Sequence, residues 1–262
     1  MSNTITIYSE LSKLACGDFS EKTSLKPIYD NISKNITQLY NDLLFLLSQD
    51  RSSDQNFMVR KVGPYFARSL LENVCTALLG RIDPFRVITV SKIQENEQFN
   101  INERSAIAIN WGSDILTNEK SASSLWQENL HYESIKRGLL GFYYGDLFWN
   151  KAYASALQAD QQILDTYRSD TEIEKFIKRI RQNIAQLYSS LSKGVHNELI
   201  INCDTLYDDI SIQDLINDSI DICATLSLLS HFIDVTICSI STTEAINQYK
   251  IIKERLDSNV RV

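Results

Sequence analysis

Proline and glycine are scarce in this chain, at three and eight of 262 residues. With so few chain-breakers, and strong helix formers in most windows, the expected fold class is all-α with little strand. Cysteine is sparse too. The five thiols, Cys16, Cys75, Cys203, Cys223 and Cys238, are scattered, odd in number and never in CxxC spacing, which argues against a disulfide framework and a zinc ribbon and fits a reducing, cytoplasmic setting. Also missing are GxxxxGK[ST], GxGxxG, HExxH and GxSxG, so the common nucleotide-binding, zinc-hydrolase and serine-hydrolase signals are lacking and no cofactor is expected. The opening MSNTITIYSELSK has no basic segment followed by an apolar run, the mark of a secretory signal. One stretch, Ile222 to Ile240, is long enough to span a bilayer, yet it holds His231 and Asp234. Charge at mid-bilayer is costly, so no membrane span is expected and this stretch is read as the central helix of a bundle.

An overall excess of basic residues is lacking as well. The net charge is −7, and residues 196 to 262 supply all of it, with eleven acids against four bases. A balanced first part joined to an acidic tail suits an internal or intermolecular electrostatic match better than a general nucleic-acid binder, although RNA stays open.

The apolar periodicity divides the chain into helices. One is expected from Pro27 to Ser48; another opens at Gly63-Pro64 and closes at Gly80, with Arg68 and Glu72 paired one turn apart. Asp83-Pro84 starts a β-branched segment, helix or short strand, and Ala106 to Leu116 is a short helix. The polar stretch Lys120 to Ser124 is the expected boundary between an amino-terminal helical layer (1–120) and a carboxyl-terminal bundle (121–262), with a single domain as the alternative. Helix then runs from Leu125 to Tyr167, interrupted by Gly138, Gly141 and Gly145 among Phe142, Tyr143, Tyr144, Phe148 and Trp149. That segment implies a kink or close backbone packing, or else a pocket for a small molecule or a base. Ile212 to Ile240 and Thr243 to Leu256 complete the bundle. Residues 1 to 20 show no sustained period and leave room for a short helix at most.

The strongest helix signals lie in Thr171 to Glu198. Ile173, Phe176, Ile177, Ile180, Ile184, Leu187, Tyr188 and Leu191 recur at three- and four-residue steps, Thr171 with Glu174 makes a capping box, and Gly194 is placed to stop the helix in a left-handed turn. The other face carries Lys175, Lys178, Arg179 and Arg181, either a solvated face or a place for phosphate or RNA. His196 follows the helix's negative end, where a protonated imidazole is favoured. Further on, Asp214, Asp218 and Asp221 form an acidic stripe on one helix face. It is read as a partner-binding surface and not as a metal site, since aspartates near a helix start are stabilised by the dipole. His131 is read as a histidine without function, and His231 with Asp234 as an internally satisfied polar pair.

A helical bundle whose polar helix end, LYSSLSKGVHNEL (Leu187 to Leu199), runs into a histidine resembles the HEPN superfamily. Its endoribonucleases carry an arginine, four to six residues, then a histidine, and the pair acts on the RNA 2′-hydroxyl and scissile phosphate in a cleft between protomers. His196 matches the histidine. The arginine would fall at Ser189, Ser190 or Leu191, and is missing. Lys193 is too close to His196 to replace it, and Arg181 lies about 22 Å back along the axis. Because a fixed cation at a developing phosphorane is worth several kcal/mol, the resemblance implies a HEPN-like subunit that binds a protein partner, a second copy or RNA without cutting, in a bacterial anti-phage defence or toxin setting. The alternative is a metal-independent endoribonuclease in a dimer, using His196 with Lys193 or Ser192; a small-molecule sensor is a third reading.

Overall fold

A computed structural model describes residues 8–22, 24–48, 53–97, 99–100, 108–116, 138–141, 144–164, 173–195 and 207–260. Among these the regular structure is helical throughout: α1 (Glu10–Cys16), α2 (Lys26–Ser48), α3 (Ser53–Ile82), α4 (Pro84–Gln94), α5 (Asn150–Ala159), α6 (Ile173–Lys193), α7 (Asp209–Ser230) and α8 (Thr242–Val260), with single π-helical turns at Trp111–Ile115 and Gly145–Trp149. The fold is an all-α bundle. No helix among the described residues is long and apolar enough to cross a membrane.

α3 and α7 pack most extensively and form the central pair; α2, α4 and α6 flank α3, while α1, α6 and α8 flank α7. One buried cluster runs from Leu11 on α1 to Leu256 on α8. Around it, Tyr153 on α5 stacks on Phe176 of α6 at 3.9 Å, and Arg86 on α4 holds Asp114 in the first π turn through two bonds of 3.0 and 2.9 Å. The β-branched segment after Asp83 is helix, because the Asp83 carboxylate accepts the Arg86 N–H and Pro84 opens the first turn. Of the short helix expected from Ala106 to Leu116, only the π turn at Trp111–Ile115 is helical, capped by the Asn110 side chain on Gly112 N–H, and Ala108 to Asn110 precede it outside the helix; residues 106–107 lie outside the described set.

Two helix boundaries differ from the sequence reading. α3 does not open at Gly63-Pro64; it starts at Ser53 and runs through both residues, which are buried. Proline inside a helix removes a hydrogen bond and costs about 3 kcal/mol, so packing must offset it. Here Pro64 lies against the end of α6, its Cβ and Cγ 2.7 Å from where a Gly194 side chain would begin. Nor does Gly80 end α3. A Cβ there would stand 2.4 Å from the Tyr29 hydroxyl, which donates to Ala77 O at 2.7 Å inside the core.

α7 ends at Ser230 and not at Ile240. The reason is Arg81, in the last turn of α3 and 0% exposed. Its guanidinium donates to Ser230 Oγ (2.6 Å), Ser239 Oγ (3.0 Å), Ile237 O (3.2 Å), Ala15 O (3.3 Å) and Leu14 O (3.4 Å). To supply those acceptors the chain leaves the helix at His231 and folds back, with Ile237 N–H bonded to Arg81 O. His231 therefore does not pair with Asp234, which is exposed. Its Nε2 lies 2.7 Å from Leu14 O and must donate, leaving Nδ1 to accept from Arg81 Nη2 at 3.1 Å. The same return segment carries Cys238 at φ 58°, whose carbonyl would lie 2.0 Å from a Cβ on Gly17, itself at φ 69°. Only glycine fits the end of α1.

Candidate functional site

α6 is built as its periodicity requires: Phe176, Ile180, Ile184 and Leu191 are 0% exposed. Its tail is held from two sides. Pro64 of α3 and the Tyr207 ring enclose Gly194, and the Tyr207 hydroxyl donates to Ser190 O. Gly194 does not take the expected left-handed turn; among the described glycines only Gly17 has positive φ. The helix closes instead by tightened bonds, Gly194 N–H to Leu191 O and Val195 N–H to Ser192 O, both 3.1 Å, and the missing side chain makes room for Pro64.

The positions where a HEPN arginine would stand are Ser189, exposed, Ser190, half-buried with its carbonyl taken, and Leu191, buried in the core. Ser192 donates its hydroxyl to Tyr188 O at 2.7 Å, and Lys193 is exposed. His196, His131, the capping-box residue Thr171, the Lys120 to Ser124 boundary and Cys203 lie outside the described residues, as do the side chains of Glu174 and Lys175.

The basic face and the acidic stripe meet. Arg179 lines a groove of about 330 Å³ between α6 and α7 together with Asp218 and Asp221. Asp221 is bound by Lys253 of α8 at 2.6 Å, whereas Lys178, Asp214 and Asp218 are exposed and Arg181 is half-buried. Lost solvation on the groove side, then the charges of Asp221 and Asp214, raise the Asp218 pKa. α7 begins at Asp209, before the expected Ile212, because Asp208 caps it through Ser211 N–H at 2.7 Å. Among the described residues no three His, Cys, Asp or Glu side chains converge as a metal would need.

The glycine and aromatic segment is packed where it is described. Trp149 is 0% exposed and donates to Leu139 O at 2.7 Å, and the Leu139 and Leu140 N–H groups bond to Asp114 O and Ile115 O. Phe142 and Tyr143 lie outside the described residues.

A larger cleft, about 950 Å³, opens elsewhere, where α2, α3, α4, the first π turn and α6 come together. Its wall carries a polar network. Arg68 Nε donates to Glu72 Oε1 at 3.1 Å, so the expected one-turn pair is present; Arg68 Nη2 donates to the Tyr188 hydroxyl at 2.7 Å, and that hydroxyl donates to the same Glu72 oxygen at 2.9 Å. Burial first, then Glu72, raises the Tyr188 pKa, so the phenol stays protonated and keeps donating. Trp111 stacks on Tyr188 at 4.1 Å and 10°. From the sequence, Tyr188 reads as one more member of an apolar stripe, and Trp111 falls within the short helix expected from Ala106 to Leu116. Only the Arg68 and Glu72 spacing offered a signal.

Neither a protein-family model, nor a curated protein, nor a solved structure matches this chain.

Proposed function

We propose that the chain is a HEPN-like helical subunit that binds a protein partner and does not cut RNA, in a bacterial anti-phage defence or toxin setting. The observation that carries this reading is the turn of α6 spanning Ser189 to Leu191: it spends its side chains on solvent and core, and supplies no guanidinium one to two turns before His196. Without a fixed cation, a lone imidazole leaves the developing phosphorane charge unmatched, a deficit of several kcal/mol. The surface that supports partner binding is the α6 and α7 face, where Arg179 lines one groove with Asp221 and the exposed Asp218. Charges of both signs in one strip favour a protein over a polyanion.

The test incubates total RNA with wild type and with His196→Ala in EDTA. Equal, background-level cleavage is the expected result. Cleavage that disappears in His196→Ala overturns the proposal in favour of the ribonuclease reading. Co-purification with the product of an adjacent gene, weakened by Asp214→Lys with Asp218→Lys, supports the interaction surface; a complex indifferent to both changes removes it.

A further inference from the structure

We infer that the cleft between α2, α3, α4 and α6 is a binding site for an uncharged nucleobase or nucleoside. Its volume of about 950 Å³ is in the range of small-molecule sites, and its chemistry narrows the ligand. Among the described residues that line it there is no Lys, Arg or His, while Glu72 and Glu95 are present. A phosphate would meet two carboxylates there, and the cations beside them, Arg68 and Lys92, are already paired with those same carboxylates, which disfavours nucleotides as the preferred ligand. Cations are not called for either. Glu95 already accepts from Lys92 at 2.7 Å and Ser91 at 2.9 Å, and Glu72 from Arg68 and Tyr188.

What the cleft does offer is carboxamides beside an aromatic pair. Asn73 donates its amide to Ser69 O at 2.8 Å, leaving the side-chain oxygen as an acceptor; Asn110 spends its oxygen on Gly112 N–H at 2.9 Å, leaving the amide as a donor. Asn31, exposed on α2, stands on the rim. Acceptor and donor together match the mixed edge of a base. Trp111, half-buried, gives one ring face to Tyr188, and a base stacks on the other, a contact that tolerates any base because every base has a π face. The Arg68, Glu72 and Tyr188 network fixes the tyrosine so that the pair is set before a ligand arrives.

The experiment is isothermal titration of the full chain with adenosine, guanosine, cytidine and uridine, with their 5′-triphosphates and spermidine as comparators. At least one nucleoside binds in one-to-one stoichiometry and its triphosphate binds at least about tenfold more weakly; Trp111→Ala weakens the nucleoside about tenfold, as loss of a base stack does. Asn31→Ala, a rim change that leaves the core untouched, weakens it severalfold and guards against a misfolded Trp111 variant. Absence of binding by all four nucleosides, tighter binding of a triphosphate or of spermidine, or affinity unchanged in both variants overturns the inference.

Discussion

Arg81 takes a positive charge into the interior without a carboxylate among its hydrogen-bond partners. Desolvating a guanidinium costs several kcal/mol, and burial lowers its pKa to about 10, still well above neutrality. Part of the compensation is backbone: the carboxyl end of α1 presents Leu14 O and Ala15 O to this group, bringing a partial negative charge of about one half, and Ile237 O adds a third carbonyl. His231 sits in the same place and is pushed the other way, its pKa lowered to about 3 by burial and by Arg81. The folded value lies below the ordinary 6.5, so between the two the unfolded chain takes up a proton that the native state refuses. Stability is therefore full above about pH 6.5 and falls as the pH is lowered towards 3, by at most about 1.4 kcal/mol per unit. Urea midpoints of wild type and His231→Gln at about pH 7 and about pH 5 check this: the drop is smaller in the variant, and parallel curves refute the assignment. None of this is visible in the sequence, where Arg81 is only a basic residue near a helix end. Half of its partners are main-chain carbonyls, and every residue has one.

At the scale of the helix, residues that punctuate a sequence act here as points of contact. Gly63, Pro64 and Gly80 read as start and stop signals, yet α3 passes through all three because α6, α7 and α2 press against them. Gly194 stops α6 at the expected residue for a different reason, proximity to Pro64 in place of a left-handed turn. Gly194→Ala, with its Cβ 2.7 Å from the Pro64 ring, is expected to cost about 1–3 kcal/mol. In a Pro64→Ala background the same change costs less, and the non-additivity, read from thermal melts as a double-mutant cycle, measures the contact. Additive costs show that the two residues do not touch in solution. Where a signal is local, as in the Arg68 and Glu72 pair, spacing was enough, while the Asp83-Pro84 start signal marked where an element begins and left helix or strand open.

Across the whole molecule the α3 and α7 pair governs stability. Leu70, Leu71, Val74 and Leu78 on one side, and Ile216, Ile220 and Leu228 on the other, are 0% exposed. Amides in these two helices are expected to exchange only by global unfolding, while those of α4 and the first π turn, at the edge, exchange by local opening. Hydrogen exchange read by mass spectrometry checks the order, and slower exchange in α4 than in α3 contradicts it. The all-α class was legible from composition and period. The cleft was not: Asn31, Asn73, Asn110 and Tyr188 belong to four separate elements, so no spacing rule joins them, and the carboxamides carry no charge pattern to betray them.

The knot of bonds around Arg81 also sets an order of events in time. Leu14 reaches His231 across 217 positions and Glu10 reaches Arg255 across 245, and closing loops of that size costs on the order of 5 kcal/mol in chain entropy. While the polypeptide is being synthesised, α1 has α2 and α3 to lean on but lacks α7 and α8, and the guanidinium has no hydroxyl or imidazole to receive it. The first helix of the chain is thus among the last to be locked, and a nascent protein stalled short of Ser230 exposes a charged, unfinished core to whatever surveys the ribosome exit.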